Sequence, residues 1–413
     1  MKKLVLIMAL LFSFSFVFGG CGKKQNGDNE NSIFDFKTLS STVPETEDAG
    51  YTYANNDNIK GIYFTGAEYN GEATKIFAYI GVPETEMPEN GYPAMVLVHG
   101  GLGRAFPDWV KLWTDRGYVA ISLSIDANIT DANNTYPHTH NPQGGPGISI
   151  NPTDMLNAEN SWIYISVANI IKAHNLLRSM DVVDETNIGI TGISWGSYLT
   201  CITIGVDNRF KFAIPVYGAG FNHEDYTSSL ASVFAFDDAT MEKYAKSFDP
   251  AAYTPYSNLP TLWICGANDH AFSLYCNQRS ADLCKGEARF SWRASLTHGQ
   301  QPGDGNGLPE IFDFANYIVK GEDDKLLRID EGTFSEGVVT VNTQNSVGVK
   351  KAKLFWSENP AEYWHDSGNV WVEEEVTVNG SVLTATVPET AVFAFMQITD
   401  NNDKVVSSRL FNF

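Results

Sequence analysis

The chain has 413 residues, 43% hydrophobic and 19% charged. That is enough apolar side chain for one large core and a smaller second one, and too little charge for a disordered protein. The formal net charge of −21 disfavours nucleic acid and anionic lipid headgroups as partners and suits a neutral substrate such as an ester or a sugar.

Lys2 and Lys3 precede an apolar run from Leu4 to Phe18, so residues 1–20 read as a secretory signal. Gly19-Gly20-Cys21 follows, and small residues before a Cys resemble a bacterial lipobox, with Phe18 where Leu is usual. This pattern predicts lipidation at Cys21 and an exported protein held on the membrane at the cell envelope. Residues 21–50 are expected to form the lipidated N-terminus and a flexible tether, because Gly22 to Ser32 are rich in Lys, Gln, Asn, Gly, Asp and Glu.

From about residue 60 short apolar runs alternate with helical patterns. Lys60 to Gly66 and Thr74 to Val82 read as strands, and Ala94 to His99 as a buried one around Met95-Val96-Leu97-Val98. Ala105 to Arg116 is a predicted helix with Trp109, Leu112 and Trp113 on one face, and Tyr118 to Ser124 the next strand. Asp126 to Glu159 shows no clear element; a loop this long in a compact domain is usually functional or disordered. A long helix over Glu159 to Met180, a strand over Asn187 to Ile193, a helix over Trp195 to Ile204 and a strand over Phe210 to Tyr217 follow. Phe221 to Pro260 is an insertion rich in Phe and Tyr, placed to cap a site. Thr261 to Cys265 and Arg289 to Ala294 are strands, with a helix between them and another over Pro309 to Val319. Strand–helix–strand repetition predicts a mostly parallel sheet with helices on both faces over residues 51–326. Beyond it, runs at Gly337 to Val341, Lys351 to Trp356, Val370 to Val378, Ser381 to Val387 and Val392 to Thr399 predict a small all-β, sandwich-like domain over residues 327–413.

Gly192-Ile193-Ser194-Trp195-Gly196 lies between a predicted strand and a predicted helix, the setting of a nucleophile elbow. Small residues let strand and helix meet around a sharp turn, which lifts Ser194 Oγ to the helix N-terminus, where negative charge is favoured. His99-Gly100-Gly101-Leu102-Gly103 ends the buried strand, and its open backbone can turn an N–H of Gly101 or Leu102 toward a substrate oxygen. The N–H of Trp195 is the second candidate for such an oxyanion hole. A serine needs an oriented base, and the chain order for this kind of site is Ser, acid, His. Asp269 follows the strand Leu262 to Cys265 and is the candidate acid; His298, after the strand ending at Ala294, is the candidate base. His270 adjoins the acid too closely to take its bond across the site, and His365 falls in the β domain.

The remaining motifs favour plain structure. His138 and His140 could bind a metal but have no third ligand nearby, so a substrate-loop or surface role is expected. Cys201 and Cys265 sit in apolar runs as core thiols, while Cys276 and Cys284, about 12 Å apart in one straight helix, cannot bridge. No Cys/His metal spacing appears, and neither metal nor cofactor is expected. Trp356, Trp364 and Trp371 in the β domain are expected to pack in a core or hinge rather than stack on sugars.

The run Gly192 to Thr200, then Gly205-Val206-Asp207-Asn208-Arg209-Phe210 and Pro215-Val216-Tyr217-Gly218, resembles bacterial dienelactone-hydrolase-like and acetylxylan-esterase-like α/β-hydrolases. So do His99-Gly100-Gly101 with Trp109, Arg116-Gly117-Tyr118, Gly266-Ala267-Asn268-Asp269 and His298-Gly299. The likeness covers roughly residues 90 to 320. It implies ester hydrolysis without a cofactor, commonly deacetylation of carbohydrate, through Ser194, Asp269 and His298. Ser197 stands where many members have Gly, and dienelactone hydrolases proper use a Cys nucleophile, so Ser194 points to the esterase branch. Two other readings compete: a secreted peptidase of the prolyl-oligopeptidase type, and an inert glycan-binding surface lipoprotein.

Overall fold

The computed structural model describes residues 29, 32–53, 56–127, 145–299, 305–358, 371–378 and 380–413. Cys21, His138, His140, Trp364 and His365 lie outside them. The first strands are β1 (Thr46–Tyr53), β2 (Asn56–Thr65), β3 (Lys75–Gly81), β4 (Tyr92–Val98), β5 (Val119–Leu123), β6 (Val183–Ile193), β7 (Phe212–Val216), β8 (Thr261–Gly266) and β9 (Ala288–Arg293). They lie in the order β1-β2-β3-β5-β4-β6-β7-β8-β9. The first four pair antiparallel, and β5 through β9 pair parallel.

The helices are α1 (Phe36–Leu39), α2 (Pro107–Thr114), α3 (Pro152–Leu156), α4 (Trp162–Arg178), α5 (Trp195–Val206), α6 (Asp238–Ser247), α7 (Leu274–Leu283) and α8 (Pro309–Lys320). Local chemistry sets several ends. Pro107 and Pro309 open α2 and α8, where no N–H is needed, and the Ser161 side chain caps α4 by accepting the Tyr164 N–H. Gly321, at φ 61°, closes α8 in the left-handed conformation.

Every residue of β4 is buried, as expected for a central strand covered on both faces. Its alternate residues feed two cores. Val96 and Val98 pack in the layer of α4 and α5, with Ile163, Ile171 and Leu199. Met95 and Leu97 pack in the opposite layer, with Trp109 and Trp113 of α2 and Ile311 and Phe312 of α8. A fully buried tryptophan such as Trp113 is worth about 3–5 kcal/mol against alanine at such a site.

The C-terminal strands are β10 (Thr333–Ser335), β11 (Val338–Asn342), β12 (Val349–Ser357), β13 (Val372–Val376), β14 (Val382–Thr386), β15 (Phe393–Asp400), β16 (Val405–Ser407) and β17 (Phe411–Asn412). They form the expected two layers: β10-β11-β14 on one side, and β16-β15-β12-β13 on the other, with β17 on β15. Val339, Val341, Leu354, Met396 and Ile398 fill the space between. The second layer also continues the central sheet, because β16 pairs antiparallel with β9 at Ser407 and Phe290. Its outer face, Phe355, Phe393 and Phe395, is buried in the same core as α2 and α8.

Two segments carry more structure than their sequence suggested. The expected tether up to residue 50 contains α1 and most of β1, and Phe34 stacks on Tyr164 at 5.3 Å. The region after Asp126 holds α3 and a 3-10 turn at Ala158–Asn160. Among the described residues no helix is long and apolar enough to cross a membrane.

Candidate active site

Ser194 sits between β6 and α5 with φ 55° and ψ −124°, a backbone conformation that costs a non-glycine residue about 1–3 kcal/mol. Its surroundings over-determine it. The Ser194 N–H donates to Val216 O at 3.0 Å, and Ser194 O accepts the Tyr198 N–H at 3.0 Å. A β-carbon at Gly192 would stand 2.2 Å from Gly196 O, so the elbow closes only on glycine. Ser197 donates its hydroxyl to Gly218 O at 2.7 Å and is fully buried.

The three residues singled out for nucleophile, base and acid meet at the C-terminal ends of β6, β9 and β8. His298 Nε2 lies 2.9 Å from Ser194 Oγ, and His298 Nδ1 lies 2.7 Å from Asp269 Oδ2. Asp269 Oδ1 accepts the N–H groups of Ala271 (2.9 Å) and Phe272 (2.8 Å), which fixes the carboxyl group. With Asp269 accepting, the imidazole carries its proton on Nδ1 and presents a lone pair at Nε2 to the serine hydroxyl. His270 is exposed, its ring centre 5.0 Å from that of His298.

The Gly101 region lies against Trp195, the residue after Ser194. A β-carbon at Gly101 would approach Trp195 Cδ1 to 2.6 Å. His99 anchors this loop from below. It is fully buried; its Nε2 accepts the Ile125 N–H at 3.0 Å, and its Nδ1 therefore donates to Gly100 O at 2.7 Å. Because a trans peptide is planar, fixing the Gly100 carbonyl also fixes the direction of the Gly101 N–H. Burial is the main reason the His99 imidazole titrates low, at about 4, so the ring stays neutral and holds this tautomer. Leu102, at φ 58°, points its side chain to solvent, 91% exposed. Trp195 is the first residue of α5, where backbone N–H groups have no partner within the helix.

Aromatic side chains wall the site. Trp195 meets Trp162, Phe272 and Phe234 at ring distances of 5.7, 5.6 and 6.3 Å. Phe234 comes from the insertion, which is tied to the acid loop: Ser228 Oγ donates to Ala271 O at 2.6 Å, and the Ser229 N–H donates to His270 O at 2.9 Å. One neighbour had no role assigned from sequence. The Tyr217 ring lies 4.6 Å from that of His298, and its hydroxyl donates to Gly299 O. Its position directly after β7 was the available signal. Among the described residues no group of His, Cys, Asp and Glu is placed to hold a metal.

A mostly parallel sheet with the serine at a strand–helix elbow and the acid and histidine after two later strands, β8 and β9, is the α/β-hydrolase fold, and this constellation is that of its serine hydrolases. The model of the prolyl oligopeptidase family matches residues 132–281. A probable dipeptidyl-peptidase 5 of Aspergillus terreus is 28% identical over 151 residues, 35% of this chain and 18% of that protein. The chain thus spans about a fifth of the length of the curated relatives it matches. Among solved structures, an acetyl xylan esterase from Paenibacillus sp. R4 superposes with a TM-score of 0.56 at 18% identity, over 68% of this chain and 92% of that one. Acetyl xylan esterase 1 from Thermoanaerobacterium sp. JW/SL YS485 gives 0.51 at 15% identity, over 71% and 95%. These likenesses establish the shared fold.

Proposed function

We propose that the protein is a serine esterase that removes acyl groups, acetyl above all, from carbohydrate. The observation that carries this reading is the unbroken relay from Asp269 through His298 to Ser194, at 2.7 and 2.9 Å. Ser194 Oγ attacks the ester carbonyl while its proton passes to His298 Nε2. Asp269 holds the ring and balances the imidazolium. The backbone N–H groups of Trp195 and of Gly101 or Leu102 receive the oxyanion. Collapse expels the sugar hydroxyl with the proton from His298, leaving an acyl-serine. Water, deprotonated by the same imidazole, then releases the acid and restores Ser194.

The acetyl class is supported by two esterases whose chains superpose over more than nine-tenths of their length. The family match over residues 132–281 favours a second reading, cleavage of short peptides by the same triad. Acetate release from a panel of acetylated polysaccharides, run beside amide turnover on short peptides, separates the two. Acetate without amide turnover supports the esterase, and the reverse result replaces it with the peptidase. In this reading the enzyme works from an exported position, tethered through lipid on Cys21.

A further inference from the structure

We infer that the C-terminal β layer is a positioning device for the triad, with Trp371 and Gln397 as the residues that act. This rests on the serine-hydrolase reading above. Asp269 and His298 are carried by separate loops, one after β8 and one after β9. Each loop takes a hydrogen bond from the C-terminal layer. Trp371, directly before β13, donates its Nε1–H to Ala267 O at 3.0 Å, two residues ahead of Asp269. Gln397, on β15, accepts the Ala294 N–H through Oε1 at 3.1 Å, four residues ahead of His298.

Both contacts fall where the strands give way to loops. Ala267 is fully buried and its N–H donates to Arg293 O at 2.7 Å, so the indole bond fixes the other side of the same residue. The layer itself is held firmly. Trp371 packs edge-on to Phe395 at 5.2 Å, and Ser407 Oγ accepts the Trp292 N–H at 2.9 Å. One rigid body therefore grips both arms of the relay and sets the spacing between carboxylate and imidazole. Proton transfer depends steeply on that spacing, whereas substrate binding near Trp195 does not use these contacts.

The test uses the full-length chain. Trp371→Phe keeps a ring against Phe395 and removes the donor. Gln397→Met keeps length and removes the acceptor, and Gln397→Glu keeps the acceptor. Ester turnover is normalised to active sites titrated to completion with a fluorophosphonate. The expected result is kcat lowered roughly tenfold or more in Trp371→Phe and Gln397→Met with KM within about twofold, and recovery in Gln397→Glu. Wild-type kcat per titrated site in both variants overturns the inference, as does a rise in KM that accounts for the loss. A wild-type chain that does not react with the probe removes the serine-hydrolase reading and this inference together. A wild-type chain that reacts, with variants that turn over normally, removes this inference alone. Should Trp371→Phe not fold, the Gln397 pair decides the matter.

Discussion

Gly196 lies so close to Val98 that a β-carbon on it would stand 2.1 Å from the Val98 carbonyl oxygen and 2.4 Å from that of His99. The helix that follows Ser194 is thereby pressed onto the strand that leads into the Gly101 loop. Both opposing atoms are backbone, so neither can swing away. Gly196→Ala is expected to destabilise the fold by about 1–3 kcal/mol and to displace Ser194 from the Gly101 region. Chemical unfolding and ester turnover check this; a variant with wild-type stability and kcat would show that the contact can relax.

Asp269→Asn is expected to lower kcat by about 10³–10⁴-fold while KM stays near the wild-type value. The amide keeps the shape of the carboxyl group but cannot hold the His298 proton on Nδ1 as a charged acceptor does. Asp237→Asn is the control: Asp237 accepts the Thr240 N–H as the cap of α6, and its loss should leave turnover unchanged. Steady-state kinetics on both variants distinguish them, and inactivity of Asp237→Asn beside an active Asp269→Asn would place the acid in the insertion.

Stability should fall on mild acidification through His99. Burial holds its folded pKa at about 4, against 6.5 for the ordinary side chain. Between those values the unfolded chain binds a proton that the folded chain refuses. The contribution is therefore complete above pH 6.5 and lost progressively as pH falls toward 4. At about 1.4 kcal/mol per pKa unit the loss is on the order of 3 kcal/mol. His99→Gln should be less stable than wild type at neutral pH, with the gap narrowing near pH 4.5. Urea midpoints at the two pH values measure it, and a gap that stays constant would count against a neutral buried His99.

Cys21→Ser is expected to release the protein from membranes into the soluble fraction of its host. The motivating pattern is Lys2-Lys3, the apolar run and Gly19-Gly20-Cys21. Identical fractionation of variant and wild type would remove the lipid anchor.

The elbow at Ser194 was legible because local and global signals coincide there: glycines at 192 and 196, an apolar strand before and a helix after. The meeting of Asp269 and His298 with Ser194 was legible from chain order, with Asp269 just beyond the buried β8 and His298 beyond the half-buried β9. β1 was not, because Thr-Glu-Asp-Ala-Gly-Tyr-Thr-Tyr is an edge strand with no buried position and so lacks an apolar alternation. Trp371 was expected to pack in a core or hinge, and it does. Its bond to Ala267, however, joins residues 104 positions apart, and no local pattern encodes such a meeting. The same holds for His99, whose motif pointed to the glycines after it while its own ring does the anchoring.

The most direct test of the proposed chemistry is the initial rate of p-nitrophenyl acetate hydrolysis by wild type and Ser194→Ala at equal concentration of folded protein. Loss of activity by several orders of magnitude, with thermal unfolding unchanged, is the expected result. Activity of Ser194→Ala within about tenfold of wild type would contradict the assignment of Ser194 as the nucleophile, since removing a triad member costs far more than that.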